Sequence, residues 1–177
     1  MRKFLPWIIA GAVVLFGYFY FKGINNTAVT LDQDVKESWG NVQTSYQRRN
    51  DLIGNLVKTV KGAADFEKST LEAVITARSK ATAVTIDPTN ITPEQLAQFN
   101  QAQSGVSSAL SRLLVTVEQY PDLKANQNFL KLQDELASTE NQILTARTRF
   151  NEAVKLYNRH VTIFPNNIFA GWFGFKE

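Results

Sequence analysis

The sequence predicts an all-α protein: an N-terminal transmembrane helix followed by an up-down antiparallel bundle of long helices. Four bundle segments are the reading, and three the alternative if the first helix is unbroken. Three observations lead there. Apolar residues recur at alternating spacings of three and four along several long stretches, the period of a helical seam. No stretch of useful length alternates as a strand would. And "FLPWIIAGAVVLFGYFYF", residues 4–21, runs for 18 residues without a charge, at the lower edge of what a spanning helix needs.

That run is preceded by Arg2 and Lys3 and followed by Lys22, with Trp7, Tyr18 and Tyr20 near its ends. Amphipathic rings suit the water–lipid boundary. Pro6 falls in the first turn, where its missing N–H costs little. A cleaved secretory signal is the competing reading. Against it, the run exceeds the usual apolar core of about 7–15 residues, and "GYFYFKGINN" has no small-x-small cleavage site. Residues 1–22 therefore read as an uncleaved signal anchor. Arg2, Lys3 and the amino terminus outweigh Lys22, which puts the N-terminus inside and the bundle outside.

The net charge of +3 is local to this anchor. All 16 acidic residues lie beyond Lys22, together with all basic residues except Arg2, Lys3 and Lys22. The remainder is neutral and lacks the concentrated basic face of a nucleic-acid binder, so no nucleic-acid partner is expected. With Cys 0, disulfides and thiolate chemistry are excluded.

Residues 23–30, containing "GINNT", read as a short polar linker. The bundle, residues 31–160, opens with a segment at about 31–61. Its seam is Val35, Trp39, Val42, Tyr46, Arg49, Ile53, Leu56, Val60 and Ala63. Gly62 then weakens the helix by about 1 kcal/mol against alanine, and helical pattern resumes over 63–83. Asp87-Pro88 breaks it. A capping box follows, with Thr92 as cap, Pro93 in the first helical position and Gln95 three residues beyond the cap. The third segment, 93–119, carries Leu96, Phe99, Gln103, Val106, Leu110, Leu113 and Val117. It stops before Pro121, which disfavours helix at Tyr120. The last, 122–160, carries Phe129, Leu132, Leu136, Thr139, Ile143, Ala146, Phe150, Ala153 and Tyr157.

Arg49 is the one charged member of its seam. If the first and last helices lie antiparallel with Leu31 beside His160, Arg49 falls opposite Asn141 or Gln142, within a turn of Glu140. An ion pair between Arg49 and Glu140 is the expectation, with a charge swap between them restoring stability. The competing reading has Arg49 reaching the surface along its aliphatic stem.

Little points to catalysis. His160 is the sole histidine, which leaves no histidine metal cluster; at a helix C-terminus it suits capping. Asp134 with Glu135, and Asp65 with Glu67, are spaced so that the carboxylates do not face each other. Gly105, inside a helix, reads as a close helix contact. No catalytic, metal or cofactor-binding residue is assigned, and no cofactor is expected.

The tail, residues 161–177, is different. Phe164, Ile168, Phe169, Trp172, Phe173 and Phe175 crowd an uncharged stretch too short to span a bilayer. Such a patch marks an interaction surface. The bundle's own end, the membrane interface and another subunit compete for it. An even number of helices returns the chain to its membrane-proximal end, where aromatic rings suit lipid headgroups or a neighbouring subunit.

"WGNVQTSYQRRNDLIGNLVKTVKGAADFE" resembles the signature of the LemA family of bacterial membrane-anchored helical proteins. "YPDLKANQNFLKLQDELASTENQILTARTRFNEAVKLYN" is similar to its second signature, and "FPNNIFAGWFGF" to its C-terminal block. One departure is Gly54, where the family usually carries proline before the Asn-Leu-Val run. The resemblance implies a single-pass protein of the bacterial inner membrane, its bundle then on the periplasmic side. It brings no catalytic residues, and implies association of some relatives with other membrane proteins, membrane metalloproteases among them. Together these readings predict a non-enzymatic scaffold that touches membrane lipid and forms a homo-oligomer through bundle and tail. The alternative is an adaptor presenting the bundle to another membrane protein, such as a protease or transporter.

Overall fold

The computed structural model describes residues 5–62 and 66–175. Arg2, Lys3, the seam's last member Ala63 and Asp65 of one carboxylate pair lie outside them. Among the described residues every regular element is a helix. In chain order they are α1 (Leu5–Lys61), α2 (Lys68–Ala83), α3 (Pro93–Val117), α4 (Pro121–Lys124), α5 (Gln127–Thr162) and α6 (Asn166–Phe173). The chain divides into two compact units. One is Trp39–Arg147; the other joins the residues up to Ser38 with those from Thr148 onward.

The unit Trp39–Arg147 is a bundle of four helical passes: the C-terminal part of α1, then α2, α3 and the N-terminal part of α5. The helical seams become its interior. Ile53, Leu56 and Val60 from α1, Val74 from α2, Val106 and Leu113 from α3, and Leu136 from α5 share one buried core. At another point Phe99 receives two rings edge-on, Trp39 at 5.2 Å and Tyr46 at 5.0 Å between centroids. The α1 helix ends at Lys61, and Gly62 lies in a turn. The capping box forms as its residues suggest: Gln95 N donates to Thr92 Oγ1 (3.2 Å) and Thr92 N to Gln95 Oε1 (3.1 Å). Gln43 Nε2 donates to the Ile86 carbonyl at 3.0 Å, tying α1 to the loop before α3.

The other unit holds the apolar run. In α1 its side chains stand outward, Trp7, Val14 and Phe16 among them. By length and composition this helix is long and apolar enough to cross a membrane. Residues 23–30, expected as a linker, are helical within α1. Asn25, Asn26 and Thr27 are modest helix formers. However, Ile24 and Ala28, four apart and so on one face, are both buried, and that packing outweighs propensity.

Two further expectations change. The segment read as 122–160 is interrupted, because Asn126 Oδ1 accepts from the backbone N–H groups of Asn128 (2.9 Å) and Phe129 (3.1 Å) and caps a fresh helix. Gly105 makes no close helix contact: a Cβ there would meet nothing within 4 Å. Gly54, by contrast, has a close side-chain neighbour from another helix, since a Cβ there would lie 3.3 Å from Arg78 Cζ. Arg78 Nε donates to the Asn50 carbonyl at 2.8 Å. By the i−4 rule that carbonyl is the helical partner of residue 54, so Arg78 supplies a donor to the group that a proline at 54 would leave open.

The two glycines therefore respond differently to one substitution. Gly105→Ala should raise bundle stability by about 1 kcal/mol, the helix-propensity difference. Gly54→Ala should gain clearly less, because Arg78 has to move by a few tenths of an ångström. Chemical denaturation of the two variants side by side checks this; equal gains would mean that Arg78 does not rest on α1.

Candidate functional site

Three features stand out: a buried cation in the bundle, an aromatic helix beside the apolar run, and a second apolar stripe on α5.

Arg49 is only 2% exposed. Its guanidinium is held from two other helices. Nη1 donates to Glu140 Oε1 at 2.9 Å and to Ser107 Oγ at 3.1 Å; Nη2 donates to Gln103 Oε1 at 2.6 Å and to the Gln103 carbonyl at 3.3 Å. The Tyr46 ring packs beneath it, 4.8 Å from Cζ to the ring centroid, a cation–π distance. Nε alone has no hydrogen-bond partner. Glu140, by contrast, is 49% exposed, so the pair has one foot in the interior and one in water. Around it lies a cavity of about 250 Å³ whose lining includes Tyr46, Gln103, Ser107 and Arg147.

Arg49 and Glu140, singled out from sequence, are thus brought together. Gln103 and Ser107 were not singled out as its partners, although a signal existed. Gln103 is the polar exception in the α3 seam as Arg49 is in the α1 seam, and two buried polar exceptions on facing seams are natural partners. The environment also alters what a charge swap would do. A carboxylate at 49 would face the Gln103 backbone carbonyl, an acceptor that repels it, and the Gln103 amide would have to turn over to offer it a donor.

In the other unit, His160 takes a structural place. Its Nε2 lies 3.1 Å from the Ile24 carbonyl and its Nδ1 3.3 Å from Asn166 Nδ2. A neutral ring donating from Nε2 and accepting at Nδ1 satisfies both contacts. The ring meets Ile24 instead of lying beside Leu31, two turns from the register expected, and joins α1, α5 and the start of α6.

The tail residues gather on and around α6. Phe169 meets Phe21 edge-on at 4.4 Å between centroids, and Trp172 at 5.7 Å. Ala170 is buried, whereas Phe164 and Trp172 are each 76% exposed, and Ile168 and Phe173 are exposed beside them. Phe175 is half-buried. The helix closes at Gly174, whose φ of 81° favours glycine; beyond it Phe175 N donates back to the Ala170 carbonyl at 2.9 Å.

Sequence reading missed the third feature. Leu130, Ala137 and Leu144 recur at sevens on α5 and all are exposed. They sit one residue after Phe129, Leu136 and Ile143, which are core, so the stripe is masked in sequence by the seam it adjoins. Separately, a groove of about 810 Å³ lies between α2 and α3, its lining a mixture of small residues, Ala73, Ala77, Ala102 and Gly105 among them, and longer ones such as Glu72, Lys80 and Arg112.

Residues 38–177 match the LemA family. The chain belongs to the LemA family. Magnetosome protein MamQ 2 of Paramagnetospirillum magneticum is 30% identical over 169 residues, which cover 86% of this chain and 62% of that protein. Magnetosome protein MamQ of Magnetospirillum gryphiswaldense is 29% identical over the same length and shares. Protein LemA of Metamycoplasma hominis is 26% identical over 155 residues, 88% of this chain and 64% of that one. The chain thus spans less than two thirds of the length of these curated relatives. LemA membership and the long apolar part of α1 fit a membrane-associated protein.

For this LemA chain the Arg49 centre gives an asymmetric expectation. Arg49→Ala should cost about 3 kcal/mol, since it strips buried Gln103 of its donor and leaves a void. Glu140→Gln should cost about 1 kcal/mol or less, because its carboxylate is half in water. Exchanging the two, Arg49→Glu with Glu140→Arg, should recover little. Denaturation midpoints followed by circular dichroism decide it, and full recovery in the exchanged protein would show that the Gln103 carbonyl does not constrain the charge at 49.

Proposed function

We propose that this protein is a non-enzymatic, membrane-anchored helical scaffold that self-associates laterally in the inner membrane, with the bundle on the periplasmic side. The observation that carries the reading is the second apolar stripe of α5. Leu130, Ala137 and Leu144 face outward at intervals of seven in a helix whose core seam is already filled, and the same narrow stripe on a second copy offers it an apolar partner. The aromatic tail is a second exposed apolar surface, in the other unit. Confinement to a membrane raises local concentration, so a modest stripe suffices for assembly. The groups best suited to chemistry support a structural role: the Arg49 guanidinium and the His160 ring are engaged in interhelical hydrogen bonds.

An adaptor is the second reading, favoured by the groove between α2 and α3, whose small residues leave room for a helix from another membrane protein, such as a protease or transporter, with Glu72, Lys80 and Arg112 along its lining. The two readings separate on size. Detergent-extracted protein should run as a discrete species larger than a monomer and fall to the monomer in Leu130→Glu with Leu144→Glu. A parent protein that is already monomeric removes the scaffold and leaves the adaptor. A C-terminal reporter should be active only outside the cytoplasm; activity inside reverses the orientation.

A further inference from the structure

Phe21 is the last residue of the uncharged run, and its ring touches the tail. Two more contacts in the same unit fix where α6 begins: His160 Nε2 with the Ile24 carbonyl, and Asn166 Nδ2 with His160 Nδ1. The tail helix is thereby placed within one ring contact of the end of the apolar run, the level at which acyl chains give way to headgroups if that run spans a bilayer. The exposed side chains on and just before it include Phe164, Ile168, Trp172 and Phe173, Asn167 is the exposed polar one within the helix, and residues 161–175 carry no Asp, Glu, Lys or Arg.

We propose that α6 is an interfacial helix that lies in the headgroup–acyl boundary of the same bilayer, with Trp172, Ile168 and Phe164 in lipid and Phe169 holding it against Phe21. The occupant is lipid in preference to a second copy because Phe169 meets Phe21 at the end of the apolar run, whose exposed side chains, Phe16 and Phe19 among them, a bilayer spanned by that run would cover. Insertion of α6 gives the tail surface a partner with no further protein present. Its indole suits this depth: the ring body is apolar and the N–H reaches polar headgroup atoms. The inference rests on the anchored reading and assigns the tail to lipid, leaving the α5 stripe for a second copy.

Because the chain has no cysteine, single positions accept a spin label cleanly. Full-length protein is reconstituted in phosphatidylcholine–phosphatidylglycerol vesicles with one label at Trp172→Cys, Ile168→Cys, Val14→Cys or Arg48→Cys. Collision with oxygen, which enters lipid, is compared with collision with a water-soluble nickel chelate. Labels at 172 and 168 should favour oxygen several-fold relative to Arg48→Cys and resemble Val14→Cys. Nickel access equal to that of Arg48→Cys overturns the proposal. So does protection from both reagents with spin–spin broadening that vanishes on dilution with unlabelled protein, which would identify a second copy as the occupant. The Val14 label keeps the two readings apart: if it lies in lipid and the tail labels do not, the tail inference fails while the anchor stands. A misfolded Trp172 variant is recognised by its circular dichroism, and Ile168→Cys then carries the test.

Discussion

A guanidinium removed from water has to be met by acceptors, and in this bundle that demand fixes three helices at once. Arg49 leaves α1 and finds Gln103 and Ser107 on α3 and Glu140 on α5. Apolar seams alone tolerate a slide of one turn, because one aliphatic layer packs on the next at little cost. A buried cation does not, since a slide of 5.4 Å, one helical turn, would separate it from every acceptor. A pair of this kind often adds little net stability over an apolar replacement; here its clearest consequence is register.

The same device recurs along α1 with different chemistry. Arg78 Nε donates to the Asn50 carbonyl, Gln43 Nε2 to the Ile86 carbonyl, and His160 Nε2 meets the Ile24 carbonyl. Each uses one polar side chain and one backbone group to bind α1 to a particular neighbour within its own unit. Backbone carbonyls are good anchors for this purpose, because their positions are set by the helix and not by a rotamer. Hydrophobic burial drives these contacts together; the polar ties select which arrangement is populated.

Function follows from what such an interior leaves outside. The core takes one face of α5, and the adjoining stripe of Leu130, Ala137 and Leu144 is exposed. The tail takes Ala170 inward and leaves Trp172 outward. Both exposed surfaces are apolar, yet their surroundings differ. The α5 stripe belongs to the bundle unit, whereas the tail touches the end of the apolar run in the other unit. The two proposals divide along this line, protein for the one surface and lipid for the other.

Local chemistry made much of this legible in the chain alone. The uncharged run, the period of the seams, the Thr92–Gln95 box and the break near Gly62 depend on residues within a turn or two of each other, and propensity and periodicity report such features directly. So did the odd arginine at 49, and Glu140 followed from assuming antiparallel neighbours. Gln103 left a trace as the polar exception in its own seam, whereas the Ser107 contact, the helical state of residues 23–30, the open space at Gly105 and the destination of Phe169 lay beyond reach. Each is decided by side chains distant in sequence that meet only when the helices pack, and a three-four pattern specifies a face without naming what the face will touch.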